Sequence, residues 1–319
     1  MSRVHEALRR AQQAVSAHSE PTSDVTPTPP GSAAAAVPVT DTTPPSNGRA
    51  TSVAVAESAI DRISPLISEE LLEKARTVPW NPAPDAHLLD PARPHEAPAE
   101  EFRTIRTRLN HMQSLQPLHT LVVTSPSPAE GKSFTAANLA IAQAQLEGNR
   151  TLLLDCDFRR PIVHGLFQID RTPGLTDLLL GRAELSDILV RLEGTNLWLI
   201  PAGSAVINPL ELLNLREVRI LLEQLPRLFN WIILDSPPLL FAADANLLST
   251  LADGAVLVVR IGSTTIDSVT RAIQSLCENN VVGVVVNGAR RGELYSRYTY
   301  YHSYYYTKYD ERAAATEAP

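Results

Sequence analysis

No tyrosine occurs in the first 294 residues of this 319-residue chain, yet eight follow. Whatever folds before residue 295 therefore builds its core and surface without a phenol. Cysteine is scarce as well: Cys156 and Cys277 are too few for a disulfide framework and fit a reducing compartment. Long apolar runs are missing. The longest, "AVLVV" and "VVGVVV", fall far short of the roughly 20 residues that span a bilayer. The start, "MSRVHEALRRAQQAV", has no apolar stretch to serve as a signal-peptide core. We expect a soluble chain with no direct membrane span, linked to a membrane only through a partner. There is no excess of basic charge either: the net charge of −7 gives nucleic acid or an anionic bilayer no global electrostatic support. The eight histidines are scattered without zinc-ligand spacing. The H-R-D, D-F-G and G-x-G-x-x-G motifs of eukaryotic-type protein kinases are absent.

Proline is present but unevenly placed: 14 of the 25 fall before residue 100. Residues 21–50 mix Pro, Thr, Ser and Ala with few large apolar side chains, too little to bury a core. A second proline-rich stretch, 78–98, reads as a partly extended linker. Short helices are expected at 2–15, with Val4, Leu8, Ala11 and Val15 in a thin stripe, and at "SEELLEKAR", with Ser68 as N-cap. Residues 1–98 thus read as a largely disordered arm.

From residue 99 the pattern changes. "AEEFRTIRTRLNHM" puts Phe102, Ile105, Leu109 and Met112 at helical steps. Six Val-, Leu- and Ile-rich runs follow, at 119–124, 150–155, 197–200, 231–235, 255–260 and 281–286, with helix-like segments between them. Their apolar character is continuous, not alternating, which predicts α/β architecture: a mostly parallel central sheet covered by helices on both faces. One domain is expected over 99–289, with a flexible tyrosine-rich tail at 290–319.

The first run leads into "SPSPAEGKSFTAANLA". Pro126 to Ser133 matches the phosphate-loop pattern G-x-x-x-x-G-K-[ST] except at its first position. Such a loop needs backbone N–H groups turned to phosphate and a helix N-terminus behind them. Ser127, Pro128, Ala129 and Glu130 form the cradle, Gly131 permits close approach, Lys132 reaches the β- and γ-phosphates, and Ser133 ligates magnesium, with Phe134 next in the helix. That helix is expected to end at Gly148 as its C-cap. ATP and Mg²⁺ are the expected cofactors.

The second run ends in "LLLDCDFRRP", placing Asp155, Asp157 and Arg159 in D-x-D-x-R spacing. Acids at i and i+2 leave an extended strand end on one side, suited to a metal or a hydroxyl proton. "WIILD" delivers Asp235 at another strand end. In open α/β sheets these ends converge where ligands bind. Asn287 closes the last run in "VVVNG", where its carboxamide could reach a base edge or simply form an Asn-Gly turn.

"PAEGKS", "LLLDCDFRRP", "WIILDSPP" and the terminal tyrosine cluster together resemble the bacterial tyrosine autokinases of capsule and exopolysaccharide export. The match, over about 99–309, is to the separate cytoplasmic (CpsD/CapB-like) type, whose fold is a three-layer P-loop NTPase related to septum-positioning and partition ATPases. The resemblance implies a non-specific protein-tyrosine kinase. It makes Lys132 the neutraliser of the transferring group, and Ser133 with Asp157 or Asp235 the Mg²⁺ holders. Asp155 orients or deprotonates the phenol, and Arg159 steadies charge or guides the phenol. Glu100, Arg103 and Arg106 fit an E-x-x-R-x-x-R motif that packs one subunit against the next in a ring; the weaker alternative is a solvated charged face opposite the apolar stripe. Ser127 stands where the related ATPases carry an extra lysine, which argues against the alternative reading as a nucleotide-switched positioning or scaffold ATPase. The resemblance also implies a membrane-embedded activator that recruits the kinase to the inner face of the cell membrane, and a tyrosine phosphatase as counterpart. Tyr295, Tyr298, Tyr300, Tyr301, Tyr304, Tyr305, Tyr306 and Tyr309 become the enzyme's own substrate, reached in trans.

Overall fold

The computed structural model describes residues 68–80, 86–90, 98–276 and 281–289. The arm before Ser68, the first expected helix, Cys277 and the eight tyrosines lie outside the described residues.

The strands are β1 (Arg76–Val78), β2 (Thr120–Thr124), β3 (Thr151–Asp155), β4 (Val190–Leu192), β5 (Leu197–Ile200), β6 (Trp231–Asp235), β7 (Gly254–Arg260) and β8 (Val281–Asn287). They form one sheet in the order β1-β4-β5-β3-β6-β2-β7-β8, and every neighbouring pair is parallel except β4–β5. The helices are α1 (Glu69–Lys74), α2 (Ala99–Leu115), α3 (Lys132–Ala144), α4 (Val163–Leu166), α5 (Leu175–Leu179), α6 (Leu185–Ile188), α7 (Pro209–Leu213), α8 (Arg216–Gln224), α9 (Ala243–Leu251) and α10 (Ile266–Ser275).

Successive strand residues point to opposite faces, so a strand covered on both sides must be apolar throughout. The two larger of three apolar clusters among the described residues show this directly. Leu152, Leu154, Ile232 and Leu234 pack on one face with Leu71 of α1 and Leu221 of α8. Leu153, Trp231 and Ile233 pack on the other with Phe102 of α2 and Leu139 of α3. β2, β3 and β6 are buried along their whole length, whereas the edge strand β8 is half-buried.

All six expected strands are present, with ends shifted by at most one residue. The two three-residue strands, β1 and β4, were not anticipated, since runs so short show no period. β1 pairs with β4, and Leu71, Leu72 and Ala75 join the core, so the sheet draws on chain ahead of residue 99. Ser68 does sit at the N-cap of α1, but its side chain makes no capping hydrogen bond. The helix after the phosphate loop stops at Ala144, earlier than the expected Gly148, because the chain turns there: the Asn149 side chain donates to the Gln143 carbonyl at 2.9 Å.

Candidate active site

The central order β3-β6-β2 places three strand ends side by side, and the ladder pairs Asp155 with Asp235 and Asp235 with Val123. The loop leaving β2 runs straight into α3, with Gly131 as N-cap at φ +96°. Parallel strands end at one edge, so the head of α3 and the acids of β3 and β6 meet there by topology.

Lys132 Nζ lies 2.9 Å from Asp157 Oδ2 and donates to Ser133 Oγ at 3.1 Å. Asp157 also accepts the Arg160 N–H at 3.0 Å. Asp155 is fully buried, and its two oxygens accept the N–H groups of Asp157 at 3.2 Å and Val163 at 3.1 Å. Burial, then the charge of Asp235, pushes the Asp155 carboxyl well above the usual carboxylate range, with the Val163 N–H acting against the rise. A carboxyl raised in this way is, when ionised, a stronger base than a free carboxylate.

Asp235 is the outlier: both its oxygens are sealed from solvent without a hydrogen-bond partner. Desolvation pushes it up to about 6, although the Lys132 ammonium acts the other way. Burial pulls Lys132 down, but Asp235 and Asp157 more than offset this and hold the ammonium above its ordinary value. A buried, unpartnered carboxylate beside the Ser133 hydroxyl fits a hard cation. Among the described residues no cluster of three or more His, Cys, Asp or Glu side chains forms a protein-only metal cage. Magnesium takes one or two protein carboxylates together with substrate phosphates. Ser133 and Asp235 would hold it, with Asp157 near Lys132.

A family model described as an AAA domain matches residues 128–280. The tyrosine-protein kinase YwqD of Bacillus subtilis (strain 168) is 35% identical over 210 residues, covering 65% of this chain and 88% of that protein. The chain belongs to the bacterial tyrosine-protein kinases. The tyrosine-protein kinase wzc of Salmonella typhimurium is 30% identical across 70% of this chain, which spans only 31% of that longer relative. Among solved structures, the chimerical protein CapA2B2 superposes with a TM-score of 0.60 at 28% identity, covering 72% of this kinase and 97% of that chain.

Other positions singled out in this kinase's sequence fall differently. Arg159 forms a fork with Asp244 on the first turn of α9, Nε to Oδ2 at 2.7 Å and a terminal nitrogen to Oδ1 at 3.2 Å. Asp244 is buried while the Arg159 side chain stays half exposed. This fork raises the guanidinium above its ordinary value, chiefly through the hydrogen bond. Phe134 sets its ring edge-on to Phe102 of α2, centroids 6.1 Å apart. Glu130 is buried inward: its carboxylate accepts the Ser127 N–H at 2.9 Å and the Thr264 hydroxyl. Asn287 donates its amide to the Glu130 carbonyl at 3.0 Å, and its oxygen accepts the Gly288 N–H, so the side chain makes both a turn and a loop contact. Cys156 is a packed thiol whose pKa burial drives up.

On α2, Arg103 pairs with Glu100, while Arg106 donates to the Ala142 carbonyl of α3 at 2.9 Å. The first two remain on the surface; Arg106 docks the helix to its own domain.

Asp244 and Thr264 do not stand out in the sequence. Asp244 carries one signal, an acid in the first turn of a helix, but helix dipoles attract acids without any function. Replacing Asp244 by Asn should loosen the Arg159 fork and lower tail phosphorylation by about 10- to 100-fold, through misplacement of Arg159. Radiolabel transfer from ATP measures the loss, and wild-type transfer by the variant would remove Asp244 from the site.

Proposed function

We propose that this kinase transfers the γ-phosphoryl group of ATP to tyrosines of its own C-terminal tail, between Tyr295 and Tyr309. The observation that carries the reading is the Lys132–Asp157 pair at the head of α3, 2.9 Å apart, beside the unpartnered carboxylate of Asp235. Phosphoryl transfer needs little covalent chemistry from the protein; it needs positioning and compensation of charge on the phosphoryl oxygens. The N-terminus of α3 and the loop amides suit the phosphates, and Lys132 neutralises charge on the transferring group. Ser133 and Asp235 would hold magnesium, which would supply further neutralisation of phosphate charge. In the transfer, the phenol oxygen forms a bond to the γ-phosphorus as the bond to the ADP oxygen breaks, and the phenolic proton passes to Asp155. A phenol with a pKa near 10 needs such an acceptor at neutral pH.

Transfer occurs in trans within a ring, Glu100 and Arg103 on α2 facing the next subunit, with Arg106 setting the helix on its own domain. Tethering raises the local concentration of each tail at a neighbour's site. Each phosphate adds about −1.5 to −2 charges, so multiply phosphorylated tails repel one another and loosen the ring. In this reading a membrane-embedded polysaccharide chain-length protein activates the kinase and holds it at the inner face of the cell membrane, a tyrosine phosphatase resets the tail, and the cycle regulates polymer export. The supporting grounds are the motif resemblance and the kinases the chain matches.

Purified protein incubated with Mg-ATP should gain several phosphates, all mapped by mass spectrometry to 295–309. ATP turnover with no phosphotyrosine, even with the activator present, would overturn the kinase reading.

A further inference from the structure

The phosphate loop is held only in part by its own hydrogen bonds, the Ser127 N–H to Glu130 at 2.9 Å and the Ser125 hydroxyl to the Ser127 carbonyl at 2.7 Å. Ala129 sits at φ +62° and Gly131 at φ +96°, so two of three successive residues are left-handed. For alanine that region costs about 1–2 kcal/mol. Contacts that hold the loop come from the ends of β7 and β8, across the sheet from the catalytic acids. The Arg260 guanidinium donates to the Ala129 carbonyl at 3.1 Å. The Thr264 hydroxyl donates to Glu130 Oε1 and itself accepts the Arg260 N–H at 2.8 Å. Asn287 donates to the Glu130 carbonyl at 3.0 Å, and a Cβ placed on Gly131 would lie 2.0 Å from Asn287 Nδ2. The carboxamide therefore rests on the glycine itself, its amide engaged with the loop and its oxygen with Gly288.

We infer that Asn287 is a positioning residue for the phosphate loop: with Glu130 and Thr264 it presets the loop for the polyphosphate of the nucleotide, whatever base is attached. This rests on the reading of 126–133 as the phosphate loop. Donation to the Glu130 carbonyl is the essential contact, and the glycine at 131 is required by Asn287 as much as by phosphate.

The test is titration calorimetry of the full chain with Mg-ATP, Mg-GTP and inorganic tripolyphosphate. Asn287→Ala should weaken all three by the same factor, about fivefold to tenfold, the worth of one hydrogen bond. Asn287→Asp, of the same size but unable to donate, should fail to restore binding. Thr264→Val should weaken the three ligands in parallel, and its combination with Asn287→Ala should fall short of the product of the single effects. Unchanged tripolyphosphate binding alongside weakened ATP, or a changed ATP-to-GTP ratio, would overturn the inference in favour of base contact. Full activity of Asn287→Asp would reduce Asn287 to a spacer and overturn it as well. Wild-type protein that binds none of the three removes the phosphate-loop reading itself, and the inference with it. The Thr264 variant keeps the question answerable should Asn287→Ala fail to fold.

Discussion

Lys132→Met is expected to abolish tyrosine phosphate on the tail, with a loss of about 10²–10³-fold or more. The ammonium is 2.9 Å from Asp157 and feels Asp235 and Asp155 as well. Removing it takes away the charge that meets the transferring phosphoryl group. It also leaves the acids without that counter-charge, so Asp235 rises further because Lys132 is what holds it down. The variant thus loses phosphate attraction and the ionised carboxylate together. Methionine keeps the length and much of the volume of the stem, so packing at the head of α3 survives. Mass spectrometry of the tail reads the loss, and circular dichroism checks the fold. Phosphorylation within about tenfold of wild type would show that Lys132 is not in the transfer step.

Asp235→Asn should have opposite effects on activity and stability. The amide cannot supply a negative ligand to a cation, so Mg²⁺-dependent phosphorylation should fall by about 10²-fold or more. The nucleotide-free protein, in contrast, should become more stable at pH 7.5. Asp235 is fully buried and its pKa rises from 3.8 to about 6 on folding. The folded state then holds a proton that the unfolded state has released, so the contribution of Asp235 is most favourable below pH 4 and is lost as pH rises through about 6. A rise of that size corresponds to about 3 kcal/mol at neutral pH. Asp155, also raised by burial, adds to the same trend. The asparagine variant removes the cost, so its Tm should exceed wild type by several degrees at pH 7.5 in EDTA. The gain should vanish near pH 4, where the wild-type carboxyl is neutral. Scanning calorimetry at the two pH values decides it; a variant less stable at pH 7.5 and unchanged near pH 4 would show that the buried carboxylate is not the cost we assign to it. A stability penalty at a catalytic acid is the usual sign of strain kept for function.

Much of this architecture is legible in the amino-acid sequence. Continuous apolar runs mark strands buried on both faces, and Leu153 and Leu154 on opposite faces of β3 show why. The phosphate loop is readable because its chemistry constrains residue types at fixed local spacing: glycine for approach, lysine for charge, serine for a metal. β1 and β4 are not readable, since three residues carry no period. Their place at one end of the sheet depends on chain before residue 99 that composition marks as linker.

The side chains facing the loop separate the two kinds of information most sharply. Asp155, Asp157 and Asp235 are placed by strand ends, and a parallel sheet brings strand ends to one edge whatever the loops do. Their convergence was therefore determined by the sequence alone. Arg159 lies only two residues beyond Asp157, yet its direction is decided by Asp244, 85 residues away. Asn287 is 157 residues from Glu130, and nothing in "VVVNG" tells a base reader from a loop clamp. A backbone period propagates along the chain, whereas the direction of a polar side chain depends on which donor or acceptor the fold sets beside it. Motif and periodicity made the fold, the phosphate-loop pattern and the acids legible; the tertiary structure alone decided which of those side chains pair beside Lys132 and which bond to the loop.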